Sequence, residues 1–317
     1  MDTILERTWI GIDISKHHWD VAFPETSGVL RLAANSAGAQ RSLQLLQQRS
    51  TPHVCLEATG GYESVLVATL RDQGIAVSVI NPRQIRDFAK AHGQLAKTDH
   101  LDAKMILRYA MLMQPEPTRK PSENEEKLRA LRARRQQVSD ALVQEKNRLD
   151  TQYDQDARHS IEEAIDFYQR QLNSLDTQIQ HLMQAVPEFR QRLSLLVSVP
   201  GVGETTAAAL MADLPELGKL NRRQAARLAG LAPINRDSGT LRGKRMTGGG
   251  RADIRKGLFM ATLVATKHNP IIREFYRQLI ARGKAKMTAL TACMRKLLLI
   301  LNAIIKYNTP WKCTQNA

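Results

Sequence analysis

Short apolar runs alternate with helix-spaced segments over the first 110 residues. Trp9 to Ile14 and Trp19 to Phe23 read as strands, and the turn residues Pro24 to Gly28 join the second to Val29–Ala33 as a hairpin. Ala37 to Gln48 has helical spacing through Leu43 and Leu46. His53 to Glu57 is a fourth strand and ends at Ala-Thr-Gly-Gly. Tyr62 to Asp72 is a helix stopped by Gly74, Ile75 to Ile80 is a fifth strand, and Asn81-Pro82 opens another helix. The order is β-β-β-α-β-α-β-α. A meander of three strands followed by crossovers predicts a sheet that begins antiparallel and continues parallel.

The pattern then changes. From Gln94 to Pro200 there is no glycine, and Ser122 with Glu125 forms a capping box that opens a long helix. Leu128, Leu131, Val138, Leu142 and Leu149 mark one apolar track. After a polar break from Asp154 to Ser160, a second track runs through Ile161, Ile165, Tyr168, Leu172, Leu175, Ile179 and Leu182. Its narrow 4-3 spacing predicts coiled-coil pairing, within a helical hairpin or between chains. From Leu195 on the pattern is mainly helical: Glu204–Ala212, Arg222–Gly230, Gly257–Thr266, Ile271–Ala281 and Met287–Tyr307. Val199-Pro200-Gly201-Val202-Gly203 resembles the turn of a helix-hairpin-helix element, so the backbone at Gly201 and Gly203 is a candidate phosphate contact. Three domains are expected: residues 1–115, a helical assembly segment at 116–192, and residues 193–317.

Composition is ordinary for a globular chain, with 43% hydrophobic and 24% charged residues. No apolar run reaches the ~20 residues of a membrane span, and the first residues lack the pattern of a signal peptide. Cys55, Cys293 and Cys313 have neither disulfide-framework nor zinc spacing, which fits reduced thiols in a cytoplasm. The charge is more informative. Residues 1–200 hold 25 Lys/Arg and 25 Asp/Glu, whereas residues 201–317 hold 21 and 6 and carry the whole net charge of +15. An excess confined to one part of the chain points to a polyanion, with nucleic acid the default partner and membrane the weaker alternative.

Two groups of residues could carry chemistry. Asp13 interrupts an apolar strand, and Glu57 ends the fourth strand. If those strands are neighbours, both acids project into one cleft at the strand ends. Asp99 and Asp102, three apart near a helix start, share a face. Four such carboxylates resist ionising together unless divalent cations compensate them, and oxygen-only ligation favours Mg2+, with Mn2+ as the substitute. Taken singly, Asp13 could be a strand-edge acid, and Asp99 and Asp102 could be acids serving a helix dipole. Asp20, Glu63, Asp72 and Asp87 are expected on solvated faces. The sheet order with this acid set has the ribonuclease H-like layout, also that of Holliday-junction resolvases.

The second group is the stretch Asn235–Lys256, rich in Gly and carrying Ser238 between Asp237 and Gly239. Arg236, Arg242, Lys244, Arg245 and Arg251 are the candidate phosphate contacts within it, and Arg222, Arg223, Arg255 and Lys256 the secondary ones. The serine is either one more phosphate ligand or a nucleophile. On this reading the glycines leave the stretch an open, mobile loop.

Several blocks together resemble the DEDD-type insertion-sequence transposases, relatives of the pilin-gene-inverting recombinase and described as bridge-RNA-guided recombinases. The matching blocks are Gly11-Ile12-Asp13-Ile14-Ser15-Lys16, Leu56-Glu57-Ala58-Thr59-Gly60-Gly61-Tyr62, Lys97-Thr98-Asp99-His100-Leu101-Asp102-Ala103, Gly230-Leu231-Ala232-Pro233 and Arg236-Asp237-Ser238-Gly239. The resemblance implies a magnesium-dependent tetrad of Asp13, Glu57, Asp99 and Asp102, with Ser238 as nucleophile. It also implies a homo-oligomer, dimer to tetramer, acting in the bacterial cytoplasm on double-stranded donor and target DNA with a structured guide RNA. An active site shared between protomers is expected, with the tetrad of one facing Ser238 of another. Two rival readings stay open: a water-using resolvase-type nuclease with the same acids, and a non-catalytic nucleic-acid binder.

Overall fold

The computed structural model describes residues 7–93, 99–234, 237–238, 241–243 and 245–312, with the side chains at 99–101, 237–238 and 241–242 outside the description. The chain forms two compact units, residues 1–120 and 121–317.

The first unit runs β1 (Thr8–Ile14), β2 (His18–Ala22), β3 (Val29–Ala33), α1 (Ser36–Gln47), β4 (Pro52–Glu57), α2 (Ser64–Asp72), β5 (Ala76–Ile80), α3 (Pro82–Ala91) and α4 (Asp99–Met113). The strand order is β3-β2-β1-β4-β5. β1–β2 and β2–β3 are antiparallel, β1–β4 and β4–β5 parallel. The expected mixed sheet is present and is consistent with a ribonuclease H-like domain. Alternation splits β1 between two cores. Ile10, Ile12 and Ile14 pack with Leu43 and Leu46 of α1 and Leu66 and Leu70 of α2. Trp9, on the other face, packs with Cys55, Ile85 of α3, and Ala103, Ile106 and Ala110 of α4.

Among the described residues the second unit is helical apart from four two-residue strands. It comprises α5 (Glu123–Thr151), α6 (Gln155–Ala185), α7 (Pro187–Val197), α8 (Glu204–Asp213), α9 (Arg222–Leu228), β6 (Pro233–Ile234), β7 (Asp237–Ser238), β8 (Leu241–Arg242), β9 (Met246–Thr247), α10 (Ala252–His268), α11 (Pro270–Ala281) and α12 (Lys286–Tyr307). Ser122 and Glu125 form the expected capping box of α5. The polar break is shorter than expected, because Asp154 caps Ala157 N–H and α6 starts at Gln155. Its first turns are polar because they are exposed, not because the chain leaves the helix. α5 and α6 form a hairpin in which Val138 and Leu142 pack against Leu172 and Leu175. Nearer its base, Leu128, Ile179, Leu182 and Met183 join the core of α7 to α12. By length and composition α12 alone among the described helices could cross a membrane, but half of that stretch is buried inside the protein. Its buried Asn302 accepts from Gly218 N–H (2.8 Å) and donates to the Leu220 carbonyl (2.9 Å). Cys55 and Cys293 are buried free thiols, and burial pushes their pKa up to about 12 and about 11, as for inert packing residues.

One buried titratable group gives the first unit a pH dependence. His53 is 1% exposed, stacks on Trp9 at 4.3 Å and shares a hydrogen bond with Ser78 Oγ at 2.8 Å, while its Nδ1 is buried without a partner among the described residues. Burial, reinforced by the charge of Arg7, pulls its pKa down to about 4. The unfolded imidazole titrates near ~6.5, so between these values the unfolded chain binds the extra proton. This contribution is complete above about pH 6.5 and declines toward pH 4 by at most about 1.4 kcal/mol per pH unit. Urea unfolding of the wild type is expected to lose stability between pH 6.5 and 5, and His53→Gln to flatten that decline. Equal slopes in the two proteins would sink the assignment.

Candidate catalytic and nucleic-acid-binding sites

The candidate acids of the first unit start from strand register. Asp13 on β1 pairs with Asp20 on β2, and Asp20 with Arg31 on β3. On the other side Ile12 pairs with Leu56, which sets Glu57 next to Asp13 one residue further along the parallel pair. The period of two puts Asp13 on the face of Trp9 and Gly11, and Glu57 on the face of Cys55. That is the face covered by α4. Both acids are half-buried at the C-terminal ends of parallel strands, where open α/β sheets place their sites.

Helix α4 reaches this face because residue 11 is glycine. A Cβ there would lie 2.3 Å from Leu107 N and 2.5 Å from the Ala103 carbonyl oxygen, so the helix backbone rests directly on β1. Asp102, half-buried, is thus set one residue from a contact point that is itself two residues from Asp13. The side chain of Asp99 lies outside the described residues. Among the described residues no three His, Cys, Asp or Glu side chains gather closely enough to hold a metal ion. In kind the donor set fits a hard divalent cation: it is all oxygen, with two carboxylates adjacent on one face.

Two acids set aside in the sequence have positions other than the solvated faces expected for them. Asp20 is 1% exposed, and Arg31 forks onto it, Nε to Oδ1 at 2.9 Å and Nη2 to Oδ2 at 2.8 Å. Glu63 ties down the loop after Glu57, accepting from Thr59 Oγ1 (2.7 Å), Thr59 N–H (3.3 Å) and Gly61 N–H (2.9 Å). Burial works to raise its pKa, but these hydrogen bonds hold it below the usual value. By contrast Asp72 and Asp87 are exposed and pair with Lys120 and Arg83.

The stretch carrying Ser238 is more ordered than an open loop. β6 pairs with β9 and β7 with β8, both antiparallel, so the described residues form two short ribbon segments, with Ser238 opposite Leu241. The glycines at its base are also fixed. Gly230, Gly249 and Gly250 all have φ between 64° and 67°. A Cβ on Gly230 would meet the Gly249 carbonyl oxygen at 2.1 Å, and one on Gly250 would meet Gly230 N at 2.3 Å. Arg251 N–H donates to the Leu228 carbonyl at 2.7 Å. The expected mobility does not reside in these glycines, which close the ribbon onto the end of α9.

The expected phosphate contacts fall into separate groups. Arg222, Arg223 and Arg245 are exposed. Arg251 is engaged internally, forked on Glu216 (2.7 and 2.8 Å) and bonded to the Asp213 carbonyl (2.8 Å). Arg255 donates to the Gly249 carbonyl at 2.8 Å, and Lys256 stands 3.8 Å from Asp253. Arg236 and Lys244, and the side chains of Arg242 and Ser238, lie outside the described residues. Gly201 (φ 100°) packs against Ala265, where a Cβ would come within 2.7 Å, whereas Gly203 faces open space at the start of α8.

Comparison with known proteins shows the family. Residues 10–155 match the model of a DEDD transposase family (IS110), and residues 193–277 match the transposase IS116/IS110/IS902 family. The pilin gene-inverting proteins of Moraxella bovis and Moraxella lacunata are each 31% identical, over 97% of this chain and 98% of their own length. The chain belongs to the IS110 family of DEDD transposases. An uncharacterised 43.6 kDa protein of insertion element IS110 from Streptomyces coelicolor is 30% identical over 47% of this chain and 36% of its own length.

Membership makes the chain a DNA recombinase/transposase, an enzyme that cleaves and rejoins DNA strands, and a DEDD transposase domain implies a divalent metal. In this family member the seat of α4 on Gly11 is the contact that brings Asp102 to the sheet. Gly11→Ala is expected to destabilise the protein by about 1–3 kcal/mol in urea unfolding. Gly28→Ala, whose Cβ meets nothing within 4 Å, serves as the neutral control. If the two variants unfold alike, α4 does not depend on Gly11.

Proposed function

We propose that the chain is the RNA-guided DNA recombinase of a mobile insertion sequence, acting on double-stranded donor and target DNA in the bacterial cytoplasm. The single observation that carries the acid half of this reading is the adjacency of Asp13 and Glu57 on the α4-covered face. The names of the Moraxella relatives describe inversion of a pilin gene. Inversion requires cutting and rejoining at two DNA sites, and the same chemistry moves an element. The working division is an acid domain at 1–115, a helical segment at 116–192 that mediates assembly of a dimer or tetramer by coiled-coil pairing, and a serine domain at 193–317.

Asp13, Glu57, Asp99 and Asp102 would hold the cation, with Mg2+ the first choice and Mn2+ its substitute. When bound, such a cation stabilises charge on the attacking and leaving oxygens of a phosphodiester displacement. Ser238 Oγ gives up its proton and forms a bond to phosphorus, and the phosphorus–oxygen bond to the leaving strand breaks, freeing a hydroxyl on that strand. The covalent phosphoserine conserves the bond energy. A strand hydroxyl then attacks the same phosphorus and restores the serine. The basic side chains of the second unit, Arg222, Arg223 and Arg245 among them, neutralise DNA and guide-RNA phosphates. Gly203, at the uncapped start of α8, offers backbone N–H groups to another in the manner of a helix-hairpin-helix turn.

Two experiments test this. Denaturing gels of full-length protein with target DNA and guide RNA are expected to show a protein–DNA adduct that vanishes in Ser238→Ala. Cleavage that persists in Ser238→Ala would indicate a water-using nuclease instead. If acids and serine act from different protomers, mixing Ser238→Ala with Asp13→Ala protein is expected to recover recombination. No recovery from two folded parents rules that arrangement out.

A further inference from the structure

We propose that the cleft between the start of α9 and the C-terminal half of α12 binds unpaired DNA, with bases on its apolar floor and phosphates on Arg222, Lys296 and Lys306. This goes beyond the double-stranded DNA and guide RNA of the proposed function, and it needs neither Ser238 nor the acids.

α12 has two working faces. Leu297, Leu298, Leu301 and Ile304 are buried in the core of the second unit. Leu299, Ile300 and Ala303 are only half-buried and, with Leu220, floor a cleft of about 500 Å3. Asn302 holds its wall in place. It accepts from Gly218 N–H and donates to the Leu220 carbonyl, so the chain entering α9 is tied to α12. A cleft formed in advance loses little ordering entropy on binding. Its charge has one sign: Arg222, Lys296 and Lys306 line it and no acid does. The chain has no Asp or Glu from Leu217 to Arg236 or from Phe275 to Ala317. The Lys296 ammonium lies 4.3 Å from the centre of the Phe275 ring, a contact that holds the charge without neutralising it. Asn221 already caps α9 together with Gln224, so the side-chain cations, not the helix end, are what the cleft offers an anion.

Three features select the ligand. A row of cations without acids fits a polyanion. Ten residues of helix set Lys296 and Lys306 about 15 Å apart along the axis, too far for one phosphate to bridge and suited to a strand. Beside the apolar floor, Tyr307 is 69% exposed, with Lys306 Nζ 5.6 Å from the centre of its ring. Unpaired nucleotides fit cations next to an exposed aromatic ring, because each offers a base face as well as a phosphate. A duplex keeps those faces stacked inside. DNA is the occupant because enzymes of this family cleave and rejoin DNA strands, and strands that change partners are unpaired while they do so.

The test is fluorescence anisotropy of the full chain with an oligothymidylate about 15 nucleotides long, with EDTA present to stop cleavage. Tyr307→Ala is expected to weaken binding at least about fivefold, the lower end for loss of one stacked base. Tyr307→Phe keeps the ring and is expected to stay within about twofold of the wild type. Lys306→Gln is expected to lower the log–log salt slope by about 0.7. An unchanged slope, no loss in Tyr307→Ala, or equal losses in the Ala and Phe variants overturns the proposal. So does an equal Tyr307→Ala loss for a duplex of the same length. A larger Tyr307→Ala loss for an oligouridylate makes the occupant RNA, and a larger one for an oligoglutamate makes it an acidic peptide; either result overturns the assignment to DNA.

Discussion

Carboxylates set side by side on neighbouring strands repel, and the first unit is organised around holding them there. The opposite face of β1 supplies the anchor: Ile10, Ile12 and Ile14 are buried against α1 and α2, so a one-residue slip would drive isoleucines out and acids in. That penalty fixes the register, and the register sets Glu57 and Asp20 on either side of Asp13. Gly11 then lets the α4 backbone rest on the strand, which brings Asp102 to the same face. Apolar packing on one side of the sheet thus holds a polar arrangement that would not hold itself.

Much of this was legible in the sequence because it depended on local pattern. Five strands and the flanking helices followed from alternation and turn residues, and Asp13 stood out as a polar residue inside an apolar run. Asp20 did not. It sits in His-Trp-Asp-Val-Ala, where an alternating polar residue is what a half-solvated strand would carry. Its counter-charge is Arg31, eleven residues on in a strand of mixed exposure, and the pairing exists only once β2 and β3 are in register. Glu63 was hidden for a related reason, because its partners are the backbone N–H of Thr59 and Gly61 and the Thr59 hydroxyl. Backbone donors carry no signature in a sequence.

The second unit shows why a count of basic residues overstates a binding surface. Arg251 and Arg255 lie in the same cationic stretch as Arg245, yet they are used inside the protein, on Glu216 and on the Asp213 and Gly249 carbonyls. Arginine suits that use because its fork satisfies several acceptors at once and stays charged throughout. Nothing in the local sequence separates these arginines from exposed ones; the distinction comes from Glu216, 35 residues upstream of Arg251. A basic residue already paired within the protein is a poorer guide to a binding surface than one such as Arg245, which is exposed.

The glycines of the serine-bearing stretch carry the same lesson into mechanism. A run of three glycines reads as a flexible tether, and flexibility is what a nucleophile that must travel would want. Here two of them allow two backbone segments to touch: Gly249 and Gly250 close on Gly230 and Leu228 at φ values a side chain would strain. The stretch is therefore clamped where it leaves the helical core. Under the proposed serine mechanism, a nucleophile on such an element would be delivered by orientation rather than by search, which suits a phosphorus attacked twice, first by the serine and then by a strand hydroxyl.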